Sequence, residues 1–422
     1  MIHQKSFNIK SVVLYILAFL GPLSATFLDK PNLVLLIAIF FSAFTLIFIY
    51  QGSFFCNQLV KVFLISYLVI LLISTVGGFT VSGVYANDEQ FGKTLSRTVT
   101  MCLGVVILLI VGDWAETNGT KNSFKLFIKI SFISTAIFAI LGIYQIIADK
   151  LSLPFLETRS LVYGTEFSIR ESLGFRLTSI AREPNFYSPI LFESLCLAFA
   201  FLNRNKFLMF FVLTLFLMFK TLSTGVYMHA ILFFFAIFVF SKINPVYKIG
   251  ICVLFCISFI VFLVINVDSL WFQYFLSKLD AEASGASLRS NVYGAVFSVF
   301  SSASIINLLF GHGLNSLSSF NDFSNAYQNL NFAISNNLYL DFLWDSGVIG
   351  LGSYLVCAFF VFRTLSAVRG INKYGFSAFM MFVSLLISSL YRSEYTTTHF
   401  YWVLSNIIIL YYLAKKEPRN DA

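Results

Sequence analysis

Two arginines, a glutamate and an asparagine stand close together in Gly174-Phe-Arg-Leu-Thr-Ser-Ile-Ala-Arg-Glu-Pro-Asn185, directly ahead of an apolar run that opens at Phe186. Arg176 and Arg182 each carry a planar fork of donors that fits a phosphate or carboxylate bidentately, which a lysine cannot do. Pro184 suits the first turn of a helix, where a missing N–H costs nothing. Arg182, Glu183 and Asn185 then fall at the mouth of that helix. Polar groups concentrated there, in a chain that is otherwise hydrocarbon-loving, point to a place that handles something polar. The plain alternative is a polar loop that happens to carry a helix-start signal.

A second group begins at Asn336-Asn-Leu-Tyr-Leu-Asp-Phe-Leu-Trp-Asp345. Asn337, Asp341 and Asp345 are four residues apart and share one helix face. Two carboxylates near the end of an apolar helix are costly unless they face a cavity or partners; the alternative is that they pair with arginines for structure alone. Gly347, Gly350 and Gly352 follow and would let neighbouring helices approach closely. Ser287-Leu-Arg-Ser-Asn-Val-Tyr293 leads through an amphipathic piece to Gly311-His-Gly313, which lacks the Lys-Ser/Thr ending of a phosphate loop and reads as a turn. Tyr391-Arg-Ser-Glu-Tyr-Thr-Thr-Thr-His399 reads as a surface loop from which Arg392, Glu394 and His399 could reach the same site. His3, His229 and His312 show no metal spacing, and His229 reads as a satisfied core residue. The six cysteines lie in or beside apolar runs and suggest neither a disulfide framework nor a zinc site. No metal and no cofactor is expected.

The elements that must position these residues are membrane helices. The chain has 422 residues, 58% of them hydrophobic and 11% charged, with 52 phenylalanines and a mean hydropathy of +0.83. Non-alternating apolar runs of roughly 17–25 residues are helices, since lipid leaves no water for an open backbone. Such runs fall near 11–28, 32–50, 60–84, 97–112, 124–147, 186–202, 207–222, 224–240, 246–266, 337–362, 375–391 and 399–414. The expectation is an all-α integral membrane protein of about 12 transmembrane helices in one polytopic domain over 1–422. Lys and Arg gather in alternate short loops (Lys121, Lys125, Arg204, Lys206, Arg369, Lys373, Lys415 and Lys416 among them), which puts both termini in the cytoplasm. Two large loops, 148–185 and 267–335, then face outward. The first balances five basic against five acidic residues, and four of its five cations are arginine. A net charge of +8 distributed in this way is an orientation signal and excludes a nucleic-acid partner.

The order of these signals resembles the O-antigen ligase and O-antigen polymerase superfamily, integral membrane glycosyltransferases of bacterial surface polysaccharide assembly. Asn336-Asn337, nine residues, then Gly347-x-x-Gly350 is similar to the family's His-Asn, nine residues, Gly-x-x-Gly motif. Arg176 to Glu183-Pro-Asn185 resembles its first-loop signature. Ser287-x-Arg289-x-x-x-Tyr293 with Leu309-Phe-Gly-His-Gly313 resembles the second. Asn336 stands where the ligase branch carries a histidine implicated in catalysis, and asparagine cannot be a base near neutral pH, so the resemblance favours a polymerase. It implies polymerisation of undecaprenyl-pyrophosphate-linked repeat units into O-antigen, capsule or exopolysaccharide at the outer face of the bacterial cytoplasmic membrane, without metal. Arg176, Arg182 and Arg289 would stabilise the leaving pyrophosphate, and Glu183 would be the base, with Asp341 and His399 behind it. Asn185, Tyr293, Asn336, Asn337, Arg392 and His399 would bind substrate. A chain-length regulator, a flippase and membrane lipid are the further partners implied. An O-antigen ligase and a lipid-linked sugar transporter are the alternatives.

Overall fold

The structure, a computed structural model, describes residues 9–26, 58–85, 88–117, 119–155, 176–241, 288–314, 316–317 and 335–417, with isolated positions between 244 and 284. The apolar run at 32–50, most of that at 246–266, and Cys56, Cys252 and Cys256 lie outside these residues. The described residues form helices α1 (Ile9–Leu20), α2 (Gln58–Tyr85), α3 (Asp88–Thr117), α4 (Lys121–Leu151), α5 (Pro184–Phe201), α6 (Arg204–Lys220), α7 (Thr224–Phe240), α8 (Leu288–Ser301), α9 (Ile305–Phe310), α10 (Leu338–Val368), α11 (Lys373–Ser388) and α12 (Thr398–Lys416), with a short 3₁₀ turn at Pro22–Ala25. Among them, Gln58–Thr80, Thr94–Thr117, Lys121–Leu151 and Leu338–Val368 are long and apolar enough to cross a membrane. At ~1.5 Å rise per residue, α4 and α10 exceed a hydrocarbon core of ~30 Å, so their ends project beyond it.

Two helices form the interior. Every residue of α12 from His399 to Ala414 is buried, and so is every residue of α5 from Tyr187 to Ala198. A helix apolar on all sides must be enclosed on all sides. Helix α12 packs on α11, α3 and α4, and α5 on α4, α11 and α6. Trp402, Tyr401, Tyr187 and Phe192 are among the largest fully buried side chains. Outside this centre, α2 packs along α10, and both leave apolar faces exposed, as at Leu72 and Phe359.

Helix α10 is broken. Gly347 sits at φ 65°, ψ −165°, inside what would otherwise be one helix. The segment after α9 fills the break: His312 N donates to Trp344 O at 2.7 Å, and Leu314 N donates to Ser74 O of α2 at 2.7 Å. The Gly311-His-Gly turn is therefore a wedge between α2 and α10, where backbone meets backbone. A methyl group on Gly347 would lie 2.3 Å from Leu309 O, and one on Gly313 would lie 2.1 Å from the Gly77 carbonyl carbon. Burial pushes the His312 pKa below its ordinary value, so it is the neutral ring that stacks on Trp344 at 4.4 Å. Of the three glycines of α10, Gly350 keeps the helix-packing place its spacing suggests, since a methyl on it would meet Ile70 of α2 at 3.8 Å, and the others differ. Gly347 makes the break, Gly350 faces the Ser346 side chain, and Gly352 opens on space. Gly313→Ala and Gly347→Ala are each expected to lower stability by ~2 kcal/mol or more, from left-handed strain plus the collision. Gly352→Ala should be neutral or raise it slightly. Thermal scans in detergent rank the three.

The two ends of the bundle differ in charge. At one, Lys121 and Lys125 pair with Glu417 at 2.9 and 3.3 Å, Lys416 donates to Gly119 O, and Asn372 donates to Ala414 O. The other end gathers the residues that could do chemistry.

Candidate functional site

The loop ahead of α5 is stitched to three helix ends. Leu177 N donates to Lys220 O at the end of α6, and Arg182 N to Ala25 O beyond α1. Gln145 of α4 accepts from Ser179 N at 2.7 Å and Thr178 N at 3.1 Å. Proline does open α5 at N1, and Glu183 is the N-cap residue, with no side-chain cap bond. Its carboxylate is half-buried and Arg182 is exposed. Arg182 Nε reaches Thr26 O at 3.4 Å. Arg176 and Asn185 are both fastened to the turn between α6 and α7. Arg176 Nε donates to Thr221 O at 3.3 Å, and Asn185 Oδ1 accepts from Ser223 Oγ at 2.6 Å. A cation at Thr221 also complements the negative end of α6.

The stretch from Tyr391 to Tyr395 is buried, where its sequence reads as a surface loop. Ser393 and Tyr395 turn toward α10, away from Arg392 and Glu394. Arg392 and Glu394 face α5: Arg392 pairs with Glu394, donates to Phe186 O at 3.1 Å, and lies over the Phe186 ring at 3.9 Å. Ser393 lies beside Asp341, and Tyr395 donates its hydroxyl to Asp345. His399, 1% exposed, lies between two carboxylates: Nε2 is 2.8 Å from Glu193 Oε2 and Nδ1 is 2.8 Å from Glu394 Oε2. Both ring nitrogens are thus held, one by each carboxyl group. Arg392, His399, Glu193 and Glu394 form one buried cluster of ionisable side chains. Burial pushes the Arg392 pKa down to about 9, while the carboxylates of Glu193 and Glu183 raise it and the Arg182 charge lowers it. The guanidinium stays charged at neutral pH, with Arg182 and Glu183 close enough to act on it.

Asn336 takes a left-handed φ of 60°, and Asn337 is the N-cap of α10, its side chain accepting from Tyr339 N and Leu340 N. The Asn337 side-chain oxygen is thereby committed to the helix start. Asp341 Oδ1 accepts from Ser335 N at 2.7 Å, and Leu338 N donates to Ser389 O at 2.9 Å, tying α10 to the loop that carries Arg392. Arg97 of α3 is near enough for its charge to act on both Asp341 and Tyr395. Arg289 stands in the first turn of α8. Tyr293 packs with Val292 and Val296 onto Leu340 and Trp344 of α10.

Four segments far apart in sequence (176–185, 221–223, 335–345 and 389–399) therefore meet at one end of the bundle. Glu193 and Arg97 belong there and were not anticipated. A glutamate inside the apolar run of α5 is the signal that marks the first, because an ionisable residue there needs a partner. His229, by contrast, is the satisfied core residue its setting suggests, bonded to Tyr391 Oη at 2.8 Å and Ser384 Oγ at 3.0 Å. Among the described residues no group of three His, Cys, Asp or Glu side chains could hold a metal ion. The fold and this site define an all-helical protein with four described helices long and apolar enough to cross a membrane and a buried cluster of ionisable side chains at one end. No family model matches the chain, and no curated protein is similar to it.

Proposed function

We propose that the protein joins oligosaccharide repeat units carried on undecaprenyl pyrophosphate, at the outer face of the bacterial cytoplasmic membrane. The observation that carries this reading is the meeting of Arg182-Glu183 with Arg392 and the acidic start of α10 at the end opposite the lysine-bearing loops. In the reaction the bond from the sugar's anomeric carbon to the pyrophosphate oxygen breaks, and a bond forms from that carbon to the acceptor hydroxyl. The hydroxyl proton passes to Glu183, and the polyprenyl pyrophosphate leaves. Glu183 suits that role because its carboxylate is half-open and unused in capping. His399 does not, since both of its nitrogens are held; it positions Glu394 and, through it, Arg392. Arg182, Arg176 and Arg289 meet the charge that develops on the leaving group. A chain-length regulator and a flippase are the partners this reaction calls for.

The transporter reading gains one observation, the break in α10 near two buried aspartates, since carriers use broken helices at their sites. Here the break is filled by the His312 amide and the Gly311–Gly313 backbone, which favours catalysis. Deleting the gene and running the surface glycan on a gel separates the readings. A polymerase predicts loss of the long ladder with single repeat units remaining. Loss of all attached glycan with long lipid-linked polymer would mean a ligase, and an unchanged ladder would return the question to transport.

A further inference from the structure

Three ionisable groups stand in a row where α5, α12 and the stretch between α11 and α12 converge. His399 Nε2 is 2.8 Å from Glu193 Oε2, and Nδ1 is 2.8 Å from Glu394 Oε2. A contact of that length needs one hydrogen between its two atoms; without it, two lone pairs face each other. Two contacts therefore take two hydrogens. A neutral imidazole supplies one, so the row holds one titratable proton more. An imidazolium between two carboxylates meets the count, and so does a neutral ring between a carboxylate and a carboxylic acid. The two ends of the row differ in freedom. Glu193 stands inside α5 among buried residues, its side chain 3% exposed. The Glu394 side chain is 11% exposed, in an irregular stretch held at its ends by the Tyr391–His229 and Tyr395–Asp345 contacts. Its Oε1 pairs with Arg392. When the row is one proton short, Glu394 is the member that yields, and Arg392 loses its anchor.

We propose that Glu193 is a positioning residue: with His399 it holds Glu394, and so Arg392, through one shared titratable proton. Above roughly pH 6.5 the unfolded chain has shed that proton. The folded protein therefore loses stability as pH rises, until the proton leaves the folded row as well. Arg182, Glu183 and Tyr391 act on Arg392, and Arg97, Asp341 and Asp345 act on Tyr395. These groups are the same in wild type and variant, so a comparison of the two removes their share. Glu193→Gln makes the test because its amide carries its own hydrogen. Glutamine donates to Nε2, the ring donates from Nδ1 to Glu394, and the row closes without a titratable proton. The full chain of each protein in nanodiscs is unfolded by heat at pH values from about 6.5 to about 9. Relative to Glu193→Gln, the wild type's folded-to-unfolded ratio should fall about tenfold per pH unit, the slope of one proton. Unfolding in weak buffer should release about one proton more from the wild type. Parallel pH profiles, or equal proton release, would overturn the assignment. Should Glu193→Gln fail to fold, the Arg392→Met, Glu394→Gln double variant carries the same test, since its glutamine supplies the hydrogen at Nδ1. Its profile should lose the slope too, and a retained slope would overturn the shared proton. Neither measurement depends on the reaction the protein carries out.

Discussion

Arg392→Met should lower the stability of the protein by about 3–5 kcal/mol, the usual cost of removing one partner from a buried ionic group. The substitution nearly preserves volume and apolar contact with Phe186, so the loss comes from charge. It leaves Glu394 without the guanidinium it pairs with, beside Glu193 and His399 in a cluster that solvent barely reaches. Glu394→Gln unbalances the same pair the other way, leaving the buried Arg392 guanidinium without that carboxylate. The two changes together remove both charges of the pair, and glutamine, with a donor and an acceptor, can still hydrogen-bond His399 Nδ1. The double variant should therefore recover most of the loss, with a coupling near the top of the ~0.5–3 kcal/mol range for residues in contact. Denaturant titration of the three variants in bicelles measures it. Strictly additive losses would mean that the four groups do not act as one cluster.

The helices were readable because lipid allows little else: α2, α4 to α7 and α10 to α12 begin within a few residues of apolar runs, whereas α3 begins at Asp88, well ahead of the run at 97–112. The start of α5 was readable to the residue, since Pro184 carries its own rule. What the chain hid was the company each residue keeps. Asn337, Asp341 and Asp345 do have the right spacing, but Asn337 is spent on capping α10, which spacing alone does not reveal. The Tyr391–Tyr395 stretch is polar enough to pass for a surface loop, and its burial depends on Glu193, more than 190 residues away in sequence. A left-handed glycine at 347 cannot be told from a helical one until Leu309 O is seen against it. Local rules give elements and caps; pairing of charges across the bundle is tertiary.

Arg182→Lys and Arg289→Lys are expected to reduce glycan polymerisation by ~10²–10³-fold, the scale on which a single charge-stabilising donor acts in a transition state. Lysine keeps the charge and most of the length but loses the fork, so a loss of that size isolates bidentate recognition of the leaving pyrophosphate. Arg176→Lys should cost less. Its Nε is committed to Thr221 O, a single bond to a carbonyl that a lysine ammonium can replace in part. The control is Arg204→Lys, exposed at the start of α6, away from the 176–185 segment, where no change is expected. Protein in the membrane fraction must be measured alongside, so that the ladder reports chemistry and not abundance. Near-normal ladders from both Arg182→Lys and Arg289→Lys would remove arginine recognition of phosphate from the mechanism. The buried cluster around His399 would then stand as architecture only. A gradient from Arg182 to Arg176 would instead place the developing charge at the mouth of α5, beside the half-open carboxylate of Glu183.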